Sequence, residues 1–162
     1  MQPVHNVQVN VRYWILIFLI SIWGTNTGDF AVHSYQDHLS GFDLIGFKHL
    51  GPFPLLAVVF CCVLLLERFV ALPTEVFFWT QILLIRTAAT NIADALVDDL
   101  EFDINILIGT LTICMVLYAI NWQMKRSDKR YGFLPETNGL YWLGMLIAGV
   151  LGTVVGDLAW HL

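Results

Sequence analysis

The sequence predicts an all-α fold: a polytopic membrane protein of about five transmembrane helices, three of them repeat helices running parallel. Three observations predict it. Apolar residues make up 57% of the 162 residues and charged residues only 13%, against roughly 45–50% and about 25% in soluble domains. So few charges cannot coat a water-facing surface, and the apolar excess must face lipid. The mean hydropathy is +0.69, and the charges cluster between long apolar stretches rather than among them. Those stretches show no alternation of period two, which favours helices over the strands of a barrel.

A helix needs roughly 20 residues to cross the hydrocarbon core. The stretches Tyr13–Val32, Leu50–Leu66, Val76–Val97, Ile104–Met124 and Leu140–His161 approach or exceed that length. The first has the position of a signal peptide, but no small-residue cleavage site follows it and its pattern recurs downstream. It is a true span. The second and fourth are plain apolar helices. Their cysteines, Cys61, Cys62 and Cys114, lie too deep for a disulfide framework and read as packing residues. The third starts at Thr74-Glu75 after Pro73, and the fifth at Asn138 after Pro135, with Asn10 in the equivalent place before the first. The chain is thus one transmembrane domain, 1–162, with repeat helices over 13–33, 76–98 and 140–161 and plain helices over 50–66 and 104–124.

Loop charges predict the topology. Lys125, Arg126, Lys129 and Arg130 lie between the fourth and fifth spans, and basic loops stay cytoplasmic. Counting back places Glu67, Arg68 and the N-terminus with Arg12 inside. The loop holding Asp98, Asp99, Glu101 and Asp103 is then outside, as is the C-terminus. The expected location is a cell inner membrane, multi-pass, N-terminus in and C-terminus out. No basic stretch of the kind nucleic acid requires is present.

The aromatic pairs Tyr13-Trp14, Phe78-Trp79 and Tyr141-Trp142 begin a recurring pattern. Eleven residues after each Trp stands Thr25, Thr90 or Thr153, and fifteen after it Asp29, Asp94 or Asp157. Gly24 and Gly28, Ala89 and Ala93, and Gly152 and Gly156 precede the threonine and the aspartate. Tyr and Trp favour the membrane interface, and fifteen residues of helix rise about 22 Å. All three aspartates are therefore expected near the outer edge of the core. Small residues spaced i, i+4 form a smooth ridge for close helix contact, which Gly144 and Ala148 extend in the last helix. The three repeat helices are expected to pack together.

Four residues after each aspartate stands His33, Asp98 or His161. An i, i+4 pair shares one helical face, so each pair could ligate one cation, and oxygen with imidazole suits a divalent metal ion. The plain reading competes: interfacial aspartates and histidines that bind nothing, and threonines bonded to carbonyls of their own helices. Arg86 lies seven residues after Trp79, near the membrane middle. Charge there costs roughly 2.5–3.5 kcal/mol on insertion scales. It reads either as a structural ion pair or as a counter-charge to the aspartates Asp29, Asp94 or Asp157 during transport.

The segments Tyr13–Asp29, Phe78–Asp94 and Tyr141–Asp157 resemble an uncharacterised bacterial family of repeat membrane proteins labelled only as membrane-anchored. Its members look like tandem copies of a Trp-containing helix ending in Gly-Thr-x-x-x-Asp, paired with a plainer helix. The stretch from Arg86 to Asp94 is similar to an Arg-to-Asp segment in one of those repeats. The resemblance covers about a third of the chain and implies membrane residence and repeat architecture, without an activity. Family members carry about four repeats, so three repeats with an unpaired last helix imply a shortened chain or a contact supplied by another subunit.

The sequence therefore predicts a small-cation transporter or exporter, of a divalent metal or proton-coupled, that uses the repeated aspartates, threonines and Arg86 and works as a homo-oligomer in the lipid bilayer. The alternative is a membrane scaffold or regulatory subunit whose repeats only pack helices. No Ser/His/Asp order, zinc protease motif or phosphate loop points to an enzyme.

Overall fold

The computed structural model describes residues 10–39, 48–69, 74–127 and 139–161. Every regular element is helical: α1 (Val11–Leu39), α2 (Phe53–Phe69), α3 (Thr74–Asp94), α4 (Ile104–Ser127) and α5 (Gly139–His161), with a π-helical turn over Ala95–Asp99 extending α3. Four segments are long and apolar enough to cross a membrane: Val11–Tyr35, Glu75–Asp99, Ile104–Asn121 and Gly139–Trp160. The fifth expected span, α2, is apolar over the shorter stretch Phe53–Glu67. Trp14, Phe18, Trp23, Phe30, Ile106, Ile113 and Trp160 are all more than half exposed, as lipid-facing side chains are.

Local chemistry sets the helix ends. Asn10 caps α1 by accepting the Tyr13 N–H at 3.1 Å through Oδ1. Asp103 caps α4 by accepting from the N–H groups of Asn105 and Ile106 at 2.9 and 3.1 Å. At the end of α3 the ladder widens. Leu100 N–H bonds Ala95 C=O at 2.9 Å, and Glu101 turns the chain with a left-handed φ of 53°. Asn138, the expected start of the last helix, lies outside the described residues.

α3 is the hub. It packs on α1, α2 and α5, while α4 packs on α5. α1, α3 and α5 run parallel, because their aromatic pairs meet at one end: Tyr13 contacts Trp79, and Phe78 contacts Tyr141 and Trp142. The Tyr13 and Tyr141 hydroxyls stand 3.4 Å apart. α2 runs back the other way. It starts beside the far end of α3, where His49 bonds Asp99, and ends where Gln81 Nε2 donates to Glu67 at 3.1 Å. α4 is antiparallel to α5, with Leu107 and Leu111 packed on the Ala93–Val154 cluster and Tyr118 against Gly144.

Candidate functional site

The aspartates collect at the end opposite the aromatic cluster. Asp94 and Asp157, on different helices, line one cleft of about 220 Å³ with Asp98, Val97 and Ile104. The electrostatic neighbours of Asp94 are His49, Asp29, Asp157 and Asp98. Thus Asp29, Asp94 and Asp157 share one electrostatic environment, although Asp29 itself is exposed on α1.

The histidine in this environment is one that spacing did not single out. His49 precedes α2, is 9% exposed, and is tied to the π turn twice. Its backbone N–H donates to Asp99 Oδ2 and its Nδ1 to Asp99 Oδ1, both at 2.9 Å. Its Nε2 lies 3.9 Å from Asp98 Oδ2. No periodic signal marks it, because the contact joins residues 49 and 99, fifty apart in the chain.

Of the expected i, i+4 ligand pairs, Asp94 and Asp98 border the same cleft, while the histidine of the Asp29 pair turns back on its own helix. The π turn carries both Asp98, whose side chain is 64% exposed, and Asp99, which turns inward onto His49. His33 donates through Nδ1 to the Asp29 carbonyl at 2.8 Å and stays exposed, so its nearest partner is its own backbone. The His161 side chain lies outside the described residues. Among the described residues no three His, Cys, Asp or Glu side chains gather closely enough to hold a metal ion.

The three threonines share one local role. Thr25 donates to Ser21 C=O at 3.1 Å, and Thr90 to Arg86 C=O and Thr153 to Gly149 C=O at 3.2 Å. This is the back-bond available to any helical Thr.

Arg86 does not face the aspartates. Its electrostatic neighbours are Tyr13 and Tyr141, at the aromatic end, and its Nη1 approaches Gly149 of α5. Among the described residues it forms no ion pair. Its Nε is buried without a hydrogen bond, as are Thr87 Oγ1, both amide atoms of Asn91 and Gln81 Oε1. These side chains all lie on α3, and Gln81, Thr87 and Asn91 are buried. Sequence reading passed over Gln81, Thr87 and Asn91. A run of polar residues inside an apolar span was the signal that could have found them.

Comparison with family models, curated proteins and solved structures gives no match.

Proposed function

We propose that the chain carries a small cation across the membrane, coupled to protons, with the Asp94–Asp157 cleft as its binding end. The observation that carries this reading is one cleft bounded by carboxylates from two packed helices, with His49 and a third aspartate in electrostatic reach. Carboxylates held close repel one another, and a proton or small cation between them relieves the repulsion. The donor set favours protons or a monovalent or organic cation over a divalent metal, because a metal needs several ligands converging on one point.

The row Asn91, Thr87, Arg86 and Gln81 supports a route leading away from the cleft. Polar groups at membrane depth are tolerated where they meet protein partners or a water-filled path. Asn91 is fully buried with neither amide atom bonded, against Gly28 of α1. Separation of α1 from α3 would wet that row. Within this reading the recurring pattern is a tandem repeat of the resembled family's kind, in a bacterial inner membrane, with the N-terminus cytoplasmic and the acidic end outside.

The second reading, a scaffold, is favoured by the short contacts of Gly24 and Gly28 with α3 and by the inward-bonded threonines. Reconstituted vesicles with an internal pH dye decide between them. Proton flux is expected from the native protein and should be lost in Asp94→Asn and Asp157→Asn variants that still elute as folded protein. Equal flux in the variants, or none in the native protein, removes the carrier reading and leaves the scaffold.

A further inference from the structure

The helix contacts form a series. Counting from Trp14, Trp79 and Trp142, each small-residue ridge stands ten and fourteen residues on: Gly24 and Gly28, Ala89 and Ala93, Gly152 and Gly156. The ridge of α1 docks on α3. A Cβ on Gly24 would meet Arg86 Cβ, and one on Gly28 would lie 3.1 Å from Thr90 Cβ and 3.0 Å from Asn91 Oδ1. Those α3 residues stand seven, eleven and twelve after their own Trp.

The ridge of α3 docks on α5 in the same register. A Cβ on Gly149, seven after Trp142, would lie 2.6 Å from Ala89 Cβ. Ala89 and Ala93 are buried with Val150 and Val154, eight and twelve after Trp142. Two successive contacts thus use one rule: positions ten and fourteen of a helix meet positions seven to twelve of the next.

The series stops with both halves of a third contact unused. Among the described residues nothing lies within 4 Å of a Cβ placed on Gly152 or Gly156. On α1 the receiving positions seven, eight, eleven and twelve are Ser21, Ile22, Thr25 and Asn26. Ser21 is half-buried, Ile22 is 49% exposed, and Thr25 and Asn26 are exposed.

The geometry points to a second copy of this chain as the occupant: the α5 ridge at Gly152 and Gly156 docks on the partner subunit's α1, Gly152 beside the partner's Ser21 and Gly156 beside the partner's Thr25. The occupant follows from the two internal contacts, because the face they require is one that the described residues of this chain leave open. Close backbone approach between small residues is what drives helix association where no hydrophobic difference separates lipid from protein. A two-fold axis would satisfy both open surfaces of both copies at once.

The contact also bears on the cleft, and this consequence alone rests on the transport reading. The internal docking puts Asp29 within electrostatic reach of Asp94 and sets Asp94 and Asp157 on one cleft. The next step of the series brings Asp157 to the partner subunit's Asp29, so the partner contributes a carboxylate to the site.

Cross-linking in native membranes tests the contact without reading transport. With Cys61, Cys62 and Cys114 replaced by alanine, chains carrying Gly152→Cys are co-expressed with differently tagged chains carrying Ser21→Cys and oxidised with copper phenanthroline. A disulfide-linked dimer holding both tags is expected. It should be lost when Trp23→Cys replaces Ser21→Cys, since Trp23 lies at the same level on another, exposed side of α1. No link with Ser21→Cys in folded protein, or equal linking at Trp23, overturns the inference. Gly152→Leu gives a second readout. Its side chain enters space left open by the described residues of its own chain, so the protein is expected to stay folded but become monomeric by native mass measurement. A Gly152→Leu protein that stays dimeric also overturns it. Failure of proton flux with intact cross-linking sinks only the carrier reading.

Discussion

At the scale of single residues, depth and neighbours decide what each polar group does. Gly24 has no room for a methyl group, because the added Cβ would run into the Cβ of Arg86, which has no freedom to swing away. Gly24→Ala is expected to lower stability by about 1–3 kcal/mol, the usual cost of overpacking, read as an earlier thermal unfolding transition in detergent. Gly152→Ala, with no described atom within 4 Å, is expected to leave the unfolding of the isolated chain unchanged. Asn91 makes the opposite case. It is fully buried with an unbonded amide, and a buried polar group without a partner costs about 1–3 kcal/mol. Asn91→Leu should therefore leave stability equal or higher while abolishing proton flux, if the α1–α3 seam is the route. A stability loss together with unchanged flux would show that the amide serves the packed state.

At the scale of elements, the π turn after α3 is the decisive piece. One added residue in the last turn moves Asp98 outward and Asp99 inward, onto His49. That pair ties the start of α2 to the end of α3 and joins the acidic end into one unit. His49→Ala removes the ring partner of the nearly buried Asp99. It is expected to cost about 1–3 kcal/mol and to speed amide hydrogen exchange over residues 48–52, with α4 unaffected. Unchanged exchange there would mean that the helix contacts alone hold the loop. The recurring threonines, by contrast, serve their own helices. Thr153→Val is expected to be nearly silent in thermal unfolding, since the lost bond is to a carbonyl already within the helix ladder.

At the scale of the whole molecule, three parallel helices carry aromatic residues at one end and carboxylates at the other, with two antiparallel helices returning the chain. Much of this was legible. The composition and the lengths of the apolar runs marked the helices, and the Trp-to-Asp recurrence marked α1, α3 and α5, although α1 runs on to Leu39, beyond its expected end. The 17-residue length of α2 shows where that reading stretched, since its expected span included the bend before Phe53. The cleft was legible only in part. Asp94 and Asp157 were marked by recurrence, but His49 and Asp99 were not, because a contact between residues fifty apart leaves no periodic trace.

What the sequence determined by itself is what depends on apolar composition and on helix rise: the helical class, four helices long and apolar enough to cross a membrane, and the axial separation of each aromatic pair from its aspartate. Those follow from local composition and a fixed 1.5 Å step. The tertiary structure alone decided which partner each polar group meets. It turned Arg86 toward the tyrosines and away from the aspartates, used the His33 ring on its own backbone, and brought His49 to the acidic end. Pairing depends on helix rotation and on one π turn, and these are set by how Gly24, Gly28, Ala89 and Gly149 let the backbones approach, a property of pairs of helices that no single segment carries.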